Sequence, residues 1–356
     1  MKLAERMNLE RGFLDRDFIE TIEGFMFCVV GPYHPDDRII AYLKYVPSDE
    51  GLWERKGQSF SRVMKTYTIP NLLETFKMLE ERYPQYLFYS PYYNIKMTAV
   101  PLDCIAQHYK PEEKLTRLRS SKKVDLLQKK AIALAEVLSE ESGVPIKNFG
   151  ITGSILLDMH DVNFSDIDLT VYGSEESWKL KGATAEIYGS NTGIFRFEGE
   201  SLKAWCKSKV SRHPLELGDA LKIYDRKWNI GVFKGTRFSI HPVKMREEVN
   251  EKYGEKTFYP KGFVTIRAKV EDCSESIFLP AIYKVSEVKF LEGKNVDSLL
   301  EVVSYESLYD SLAENGEEII ARGKLELVKD NRNGEEYYRI LIGSPEGKGR
   351  EFIKPA

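Results

Sequence analysis

The sequence predicts an α+β protein of three consecutive domains, and three observations lead there: the chain length, a middle stretch where helical and strand patterns alternate, and a strand-rich final hundred residues. At 356 residues the chain is too long for one ordinary hydrophobic core. Pro111 opens a helical pattern, and beyond residue 250 short apolar runs are separated by polar turns. The expected division is residues 1–110, β-rich with some helix; 111–250, a mixed sheet with helices; and 251–356, a β-barrel-like domain.

Taken in order, residues 18–21, 25–30 and 38–46 are rich in β-branched and aromatic residues, and Gly31, Pro32 and Pro35 mark a turn before the last of them. They read as a small antiparallel sheet. Leu72, Leu73, Phe76 and Leu79 recur at helical spacing, which predicts a helix over 70–81 with Pro84 beyond its end. The tyrosine-rich run 86–93 suits packing at a domain seam or stacking on bases. Residues 111–141 carry the clearest amphipathic pattern, with Val124, Leu127, Ile132, Ala135 and Leu138 on one face, ended by Gly143 and Pro145. Residues 149–172 read as a strand, a Gly-Ser turn opening a short helix, a polar loop and a second strand. A basic helix over 201–212 and strands at 228–233 and 237–241 follow. The last domain shows strands at 262–270, 276–288, 323–328 and 337–342, with Asn331 to Gly334 as a turn.

Composition narrows the function classes. Charged residues at 30% and hydrophobic ones at 42% are those of a globular protein, and the net charge of -3 speaks against coating nucleic acid by charge alone. No secretory leader and no bilayer-length apolar run is legible, so a cytoplasmic protein without a membrane partner is expected. Cys28, Cys104, Cys206 and Cys273 lie far apart without a C-x-x-C pair and read as idle thiols. His34 with Asp36 and Asp37 reads as a turn, and the Gly343 to Gly349 string lacks the spacing and the Ser or Thr of a phosphate loop.

The chemistry concentrates between Gly153 and Asp168. Side chains alternate along a strand, so Asp166 and Asp168 point to one face while Ile167 and Leu169 point to the other. Two acids on one face suggest a metal site. A Gly-Ser turn lets backbone N–H groups approach a phosphate closely and adds a hydroxyl donor.

Gly153-Ser154, eleven intervening residues and then Asp166-Ile167-Asp168-Leu169 resemble the signature of the nucleotidyltransferase superfamily, which includes DNA polymerase beta and the CCA-adding enzymes. The chain is most similar to the archaeal-type predicted nucleotidyltransferases. The resemblance implies that Gly153 and Ser154 hold a nucleoside triphosphate and that Asp166 and Asp168 bind two divalent metals, Mg²⁺ or Mn²⁺. It implies a two-metal-ion transfer of a nucleoside monophosphate to a hydroxyl on RNA, a protein or a small molecule.

In that family a neighbouring strand adds a third carboxylate, and in archaeal CCA-adding enzymes it resembles Val-Asp-Ile-Val-Pro. Here it reads Phe238-Ser239-Ile240-His241-Pro242, with Ser239 in place of the acid. Serine carries no charge for a metal and accepts no proton near neutral pH. Three explanations stand: His241 substitutes as the catalytic base, an acid such as Glu216, Asp219 or Asp225 swings in, or the chain is a catalytically degenerate nucleotide- or nucleic-acid-binding scaffold. Lys203, Lys207, Lys209 and Arg212 are candidates for gripping triphosphate or an RNA-like substrate, Lys203 and Arg212 foremost. Lys114, Arg117, Arg119, Lys122 and Lys123 form a second basic cluster suited to a nucleic-acid backbone or to a charged linker.

Overall fold

The computed structural model describes residues 11–64 and 69–356. The chain start, read above as carrying no secretory leader, falls partly among residues 1–10 and so lies outside the described residues. The first sheet begins with β1 (Phe18–Thr21), β2 (Met26–Val29), β3 (Arg38–Pro47), β4 (Trp53–Arg55) and β5 (Gln58–Arg62). Helix α1 (Ile69–Arg82) follows, then β6 (Leu87–Ser90), β7 (Ile95–Pro101) and β8 (Ile105–Tyr109). The sheet order is β4-β5-β3-β2-β1-β8, with β7 added to β3 and β6 to β7. β2 is buried along its whole length, and β3 alternates buried and half-buried positions over its first half, as a strand with one face on a core requires.

The amphipathic pattern over 111–141 forms two helices, α2 (Pro111–Ser120) and α3 (Leu126–Ser142). The single helix expected there breaks because Asp125 caps α3: its carboxylate accepts from Gln128 N at 2.9 Å while Gln128 Oε1 accepts from Asp125 N at 3.1 Å. Gly143 ends α3 at a φ of 66°.

Next come β9 (Phe149–Ile151), the single-turn α4 (Gly153–Leu156), β10 (Ile167–Tyr172), α5 (Ser174–Gly189) and β11 (Ile194–Phe195). Helices α6 (Gly199–Val210) and α7 (Leu217–Arg226) precede β12 (Ile230–Phe233) and β13 (Thr236–Val243). The second sheet is mixed, in the order β11-β12-β13-β10-β9, with β10 parallel to β13 and antiparallel to β9.

The last strands are β14 (Lys256–Asp272), β15 (Ala281–Glu292), β16 (Leu299–Ser304), β17 (Glu318–Asp330), β18 (Glu336–Ile342) and β19 (Phe352–Pro355). Their sheet curls into a half-barrel in the order β14-β15-β16-β18-β17-β19, and β17 also pairs with β14. The protein is thus α+β with three sheets.

Two compact units take chain from alternating stretches. The first holds Met1–Val63, Ala99–Phe197 and Trp228–Asn250; the second holds Met64–Thr98, Glu198–Lys227 and Glu251–Ala356. This division cuts across the three consecutive blocks read from the sequence, and the packing explains why. Leu156, Leu157 and Met159 share a core with Phe18, Met26, Cys28, Tyr45 and Phe60, which binds the mixed sheet to the first sheet. In the second unit Leu215 and Ile223, beside and on α7, join the core of the third sheet with Val264, Tyr283 and Leu325.

Candidate functional site

β9 lies deep in the first unit, where a Cβ on Gly150 would stand 2.5 Å from Thr170 Oγ1 and 2.6 Å from Pro111 Cβ. The chain leaves β9 through Thr152, whose N–H donates to Asp168 O at 2.9 Å and whose hydroxyl donates to Arg16 O at 2.7 Å. Gly153 then turns at a φ of +68°, and a Cβ there would lie 2.3 Å from Asp168 Oδ2. Glycine is required twice over, for the left-handed backbone and for the room the carboxylate occupies. Ser154 follows, half-buried, and Ile155, Leu156 and Leu157 anchor the turn in the core.

On β10, Ile167 and Leu169 are fully buried and Asp168 between them is half-buried, while Asp166, the residue just before the strand, is exposed. The parallel register sets Asp168 against Ser239 and Thr170 against His241. Ser239 Oγ donates to Asp168 Oδ1 at 2.5 Å and lies 2.9 Å from His241 Nε2, while His241 Nε2 is 3.8 Å from that same carboxylate oxygen. One polar chain thus runs from imidazole through hydroxyl to carboxylate.

The electrostatics separate the two acids. Burial works to raise the Asp168 carboxyl, but the His241 imidazole, the Lys44 ammonium and the Ser239 hydroxyl outweigh it and hold Asp168 well below the usual carboxylate range. Asp166 is raised, first by burial and then by the charge of Asp168, against the pull of Arg237 and Arg62. Burial and the neighbouring Arg16 push the His241 imidazole down, which favours its neutral form at neutral pH. Lys44 on β3 is only 8% exposed, and Arg16 precedes β1.

The first unit therefore brings together Gly153, Ser154, Asp166, Asp168, Ser239 and His241, all but Ser239 named from the sequence as site residues. It adds Lys44, Arg16, Arg62 and Arg237, which the sequence reading missed. Arg237 was legible, two residues before Ser239 on one strand and so on its face. Lys44, Arg16 and Arg62 come from more than a hundred residues upstream of Asp168 with no local motif.

Lys203 and Arg212 stand in the second unit, outside that set. Lys203 pairs with Glu200 at 2.8 Å on the exposed side of α6, and Arg212 folds back to donate to Ser208 O at 2.9 Å. Glu216, Asp219 and Asp225 also belong to the second unit. Asp219 reaches Lys354 at 3.1 Å and accepts from Glu216 N at 3.0 Å. The second basic cluster is partly consumed internally: buried Lys114 and exposed Arg117 both pair with Asp158, and Arg119 with Glu136. Tyr92 and Tyr93 pack around Tyr253, and His34 is half-buried, with its pKa lowered to about 4 by desolvation of the ring.

Among the described residues no group of three or more His, Cys, Asp or Glu side chains is placed to hold a metal. No helix among them is long and apolar enough to cross a membrane.

No family model and no solved structure matches the chain. A protein of Methanocaldococcus jannaschii, the uncharacterized protein MJ1086, is 32% identical over 348 residues, which cover 95% of this chain and 98% of that protein. Identity of that degree along nearly the full length of both shows common descent of the whole chain, and the protein belongs to the same family as MJ1086.

Proposed function

We propose that the protein is a metal-dependent nucleotidyltransferase that moves a nucleoside monophosphate from a nucleoside triphosphate to a hydroxyl acceptor on RNA, a protein or a small molecule. The observation that carries this reading is the packing of the Gly153 turn directly against the Asp168 carboxylate. A phosphate cradle and an acidic strand are thereby built as one piece.

The donor chemistry suits Mg²⁺ or Mn²⁺: two carboxylates on one strand face are what a hard cation takes when it keeps waters and completes its shell from substrate phosphates. Bound there by Asp166 and Asp168, the metal would supply charge neutralisation at the transferring phosphate. With only four residues, α4 contributes little dipole. Phosphate binding then falls to the backbone N–H groups of the turn and the Ser154 hydroxyl. His241 is the base in this scheme, its neutral imidazole accepting the proton of the attacking hydroxyl. Lys44 and Arg16 hold the imidazole neutral and offset the charge of the incoming phosphates. The mixed-sheet segment is the catalytic part, and the flanking β-rich segments select the acceptor.

Ser239 favours a second reading, a catalytically degenerate nucleotide- or nucleic-acid-binding scaffold. The residue opposite Asp168 is neutral, and its hydroxyl occupies one oxygen of that carboxylate.

One experiment separates the two. Purified protein is incubated with each labelled nucleoside triphosphate, Mg²⁺ or Mn²⁺, and total cellular RNA or small hydroxyl acceptors, beside Asp166→Ala/Asp168→Ala and Ser239→Asp. Labelled product above the double variant supports the transferase. Metal-dependent nucleotide binding without product, with turnover appearing in Ser239→Asp, supports the scaffold. Neither binding nor product sinks both.

A further inference from the structure

We infer that Trp53, Phe164 and Arg62 form a platform on which the base of the bound nucleoside triphosphate stacks. This rests on the nucleotide reading above and names the part of the substrate that the phosphate cradle leaves unbound.

The platform stands on the Asp166 side of the site. Trp53 lies on β4, half-buried, with its ring centroid 5.4 Å from that of the buried Tyr45 and 6.3 Å from that of Phe164, the latter edge-on at 81°. Arg62, at the end of β5, places its guanidinium 5.4 Å from the Trp53 ring centroid and 5.8 Å from that of Tyr45. The same guanidinium is near enough to Asp166 for the carboxyl to feel its charge, together with that of Arg237. A flat cation, an indole and a phenyl ring therefore border one of the two acids.

Phe164 makes the arrangement hard to read as packing alone. It sits two residues before Asp166 and is 53% exposed, although a phenylalanine gains most by burial. It is not on a slack loop. Asp161 Oδ1 accepts from Asn163 N at 2.8 Å, Asp161 O accepts from Ser165 N at 3.0 Å, and Asp161 N donates to Ser165 Oγ at 3.0 Å. The closed turn holds the ring out in solvent beside Trp53.

The occupant follows from this chemistry. Aromatic faces and an arginine plane take a planar π-system, and a cation next to the acidic pair favours a ligand whose ring is joined to a phosphate. A nucleotide is both at once. Every base offers a π-face, so stacking here predicts little preference among the four. Gly153 packs on Asp168, so a triphosphate in the cradle sits beside Asp168, and the platform beside Asp166 is where its base would stack.

Calorimetric titration of the full chain tests this, with ATP, UTP and inorganic tripolyphosphate as ligands in the presence of Mg²⁺. Wild type is expected to bind both nucleotides more tightly than tripolyphosphate. In Phe164→Ala, and separately in Trp53→Leu, nucleotide affinity is expected to fall about 5- to 100-fold, with tripolyphosphate affinity unchanged. Because Trp53 touches the core, its variant is accepted only with a wild-type melting profile; exposed Phe164 carries the test alone otherwise. Equal wild-type affinity for nucleotide and tripolyphosphate overturns the platform and leaves the phosphate cradle standing. So does nucleotide affinity unchanged in Phe164→Ala, or a parallel loss for both ligand types. Wild type that binds no ligand of either kind overturns the cradle and the platform together.

Discussion

Gly153 and Asp168 are separated by a loop in sequence and share one space in the fold, and the chemistry of the site depends on that coincidence. Gly153→Ala adds a methyl group where Asp168 Oδ2 stands and asks an L-residue to hold a φ of +68°. The backbone alone costs about 1–2 kcal/mol, so the thermal midpoint should fall and metal-dependent nucleotide binding should be lost, measured by differential scanning fluorimetry and calorimetry. An unchanged midpoint would show that the turn relaxes freely. Asp168 gives a pH signature. Its folded value is depressed below the unfolded one of about 3.9, so its contribution to stability is complete above that value and disappears as pH falls through it towards the folded value. Asp168→Asn should therefore melt below wild type at pH 6, with the gap closing as the pH drops under 4. A gap independent of pH would point to lost packing instead. At this scale the sequence is legible where partners are local: Gly153, Asp166 and Asp168 follow from one motif. Ser239 and His241 follow from the expectation of a strand beside β10, which the parallel register meets. Lys44 and Arg16 are set by tertiary packing, which no short window of sequence carries.

The elements were unevenly readable: α7 and β16 bury apolar residues and yet went unread. β1 begins and ends at the residues the strand pattern marks, 18 and 21, and α1 extends the expected helix 70–81 by one residue at each end. Helix α5 left no trace because two of its four buried positions, Ser177 and Thr184, are polar and Gly182 interrupts it, so its inward stripe does not look hydrophobic. The region 111–141 failed in the opposite way, its amphipathic pattern running on through a break. Asp125 makes that break, and its carboxylate also accepts from His160 Nε2 at 2.7 Å. Asp125→Ala removes the cap of α3 and should cost about 1–2 kcal/mol, read as a shift in denaturant midpoint at constant slope. A loss below about 0.5 kcal/mol would mean that the cap is redundant beside the packing of Leu127, Leu134 and Leu138.

Across the whole molecule the mismatch between three sequence blocks and two interleaved units has an experimental consequence. A cut after residue 250, where the sequence places a domain boundary, leaves the first unit complete and strips the second of β14 to β19. Leu215 and Ile223, buried in the core of the third sheet, would be uncovered. The fragment 1–250 should bind a hydrophobic dye and self-associate in size-exclusion chromatography, unlike the full chain; a dark, monomeric fragment would show that these helices find other cover. The boundaries were invisible in the sequence: no crossing between units carries a proline- or glycine-rich linker, and the one between Thr98 and Ala99 falls inside β7.

The interleaving also sets a timetable for synthesis. β13, the last strand of the first unit, leaves the ribosome ahead of every strand of the third sheet, so the unit that holds Asp166 and Asp168 can close while the second is unfinished. Helix α1 waits longest: about 170 residues separate its end from the start of β14, roughly 10–30 seconds at cellular elongation rates. During that interval α1 can pack on β6, which follows it in the chain, but no strand of the third sheet is yet present. The nascent chain at that stage holds every strand of the first unit and none of the third sheet, so the order of its strands separates the completion of the two units in time.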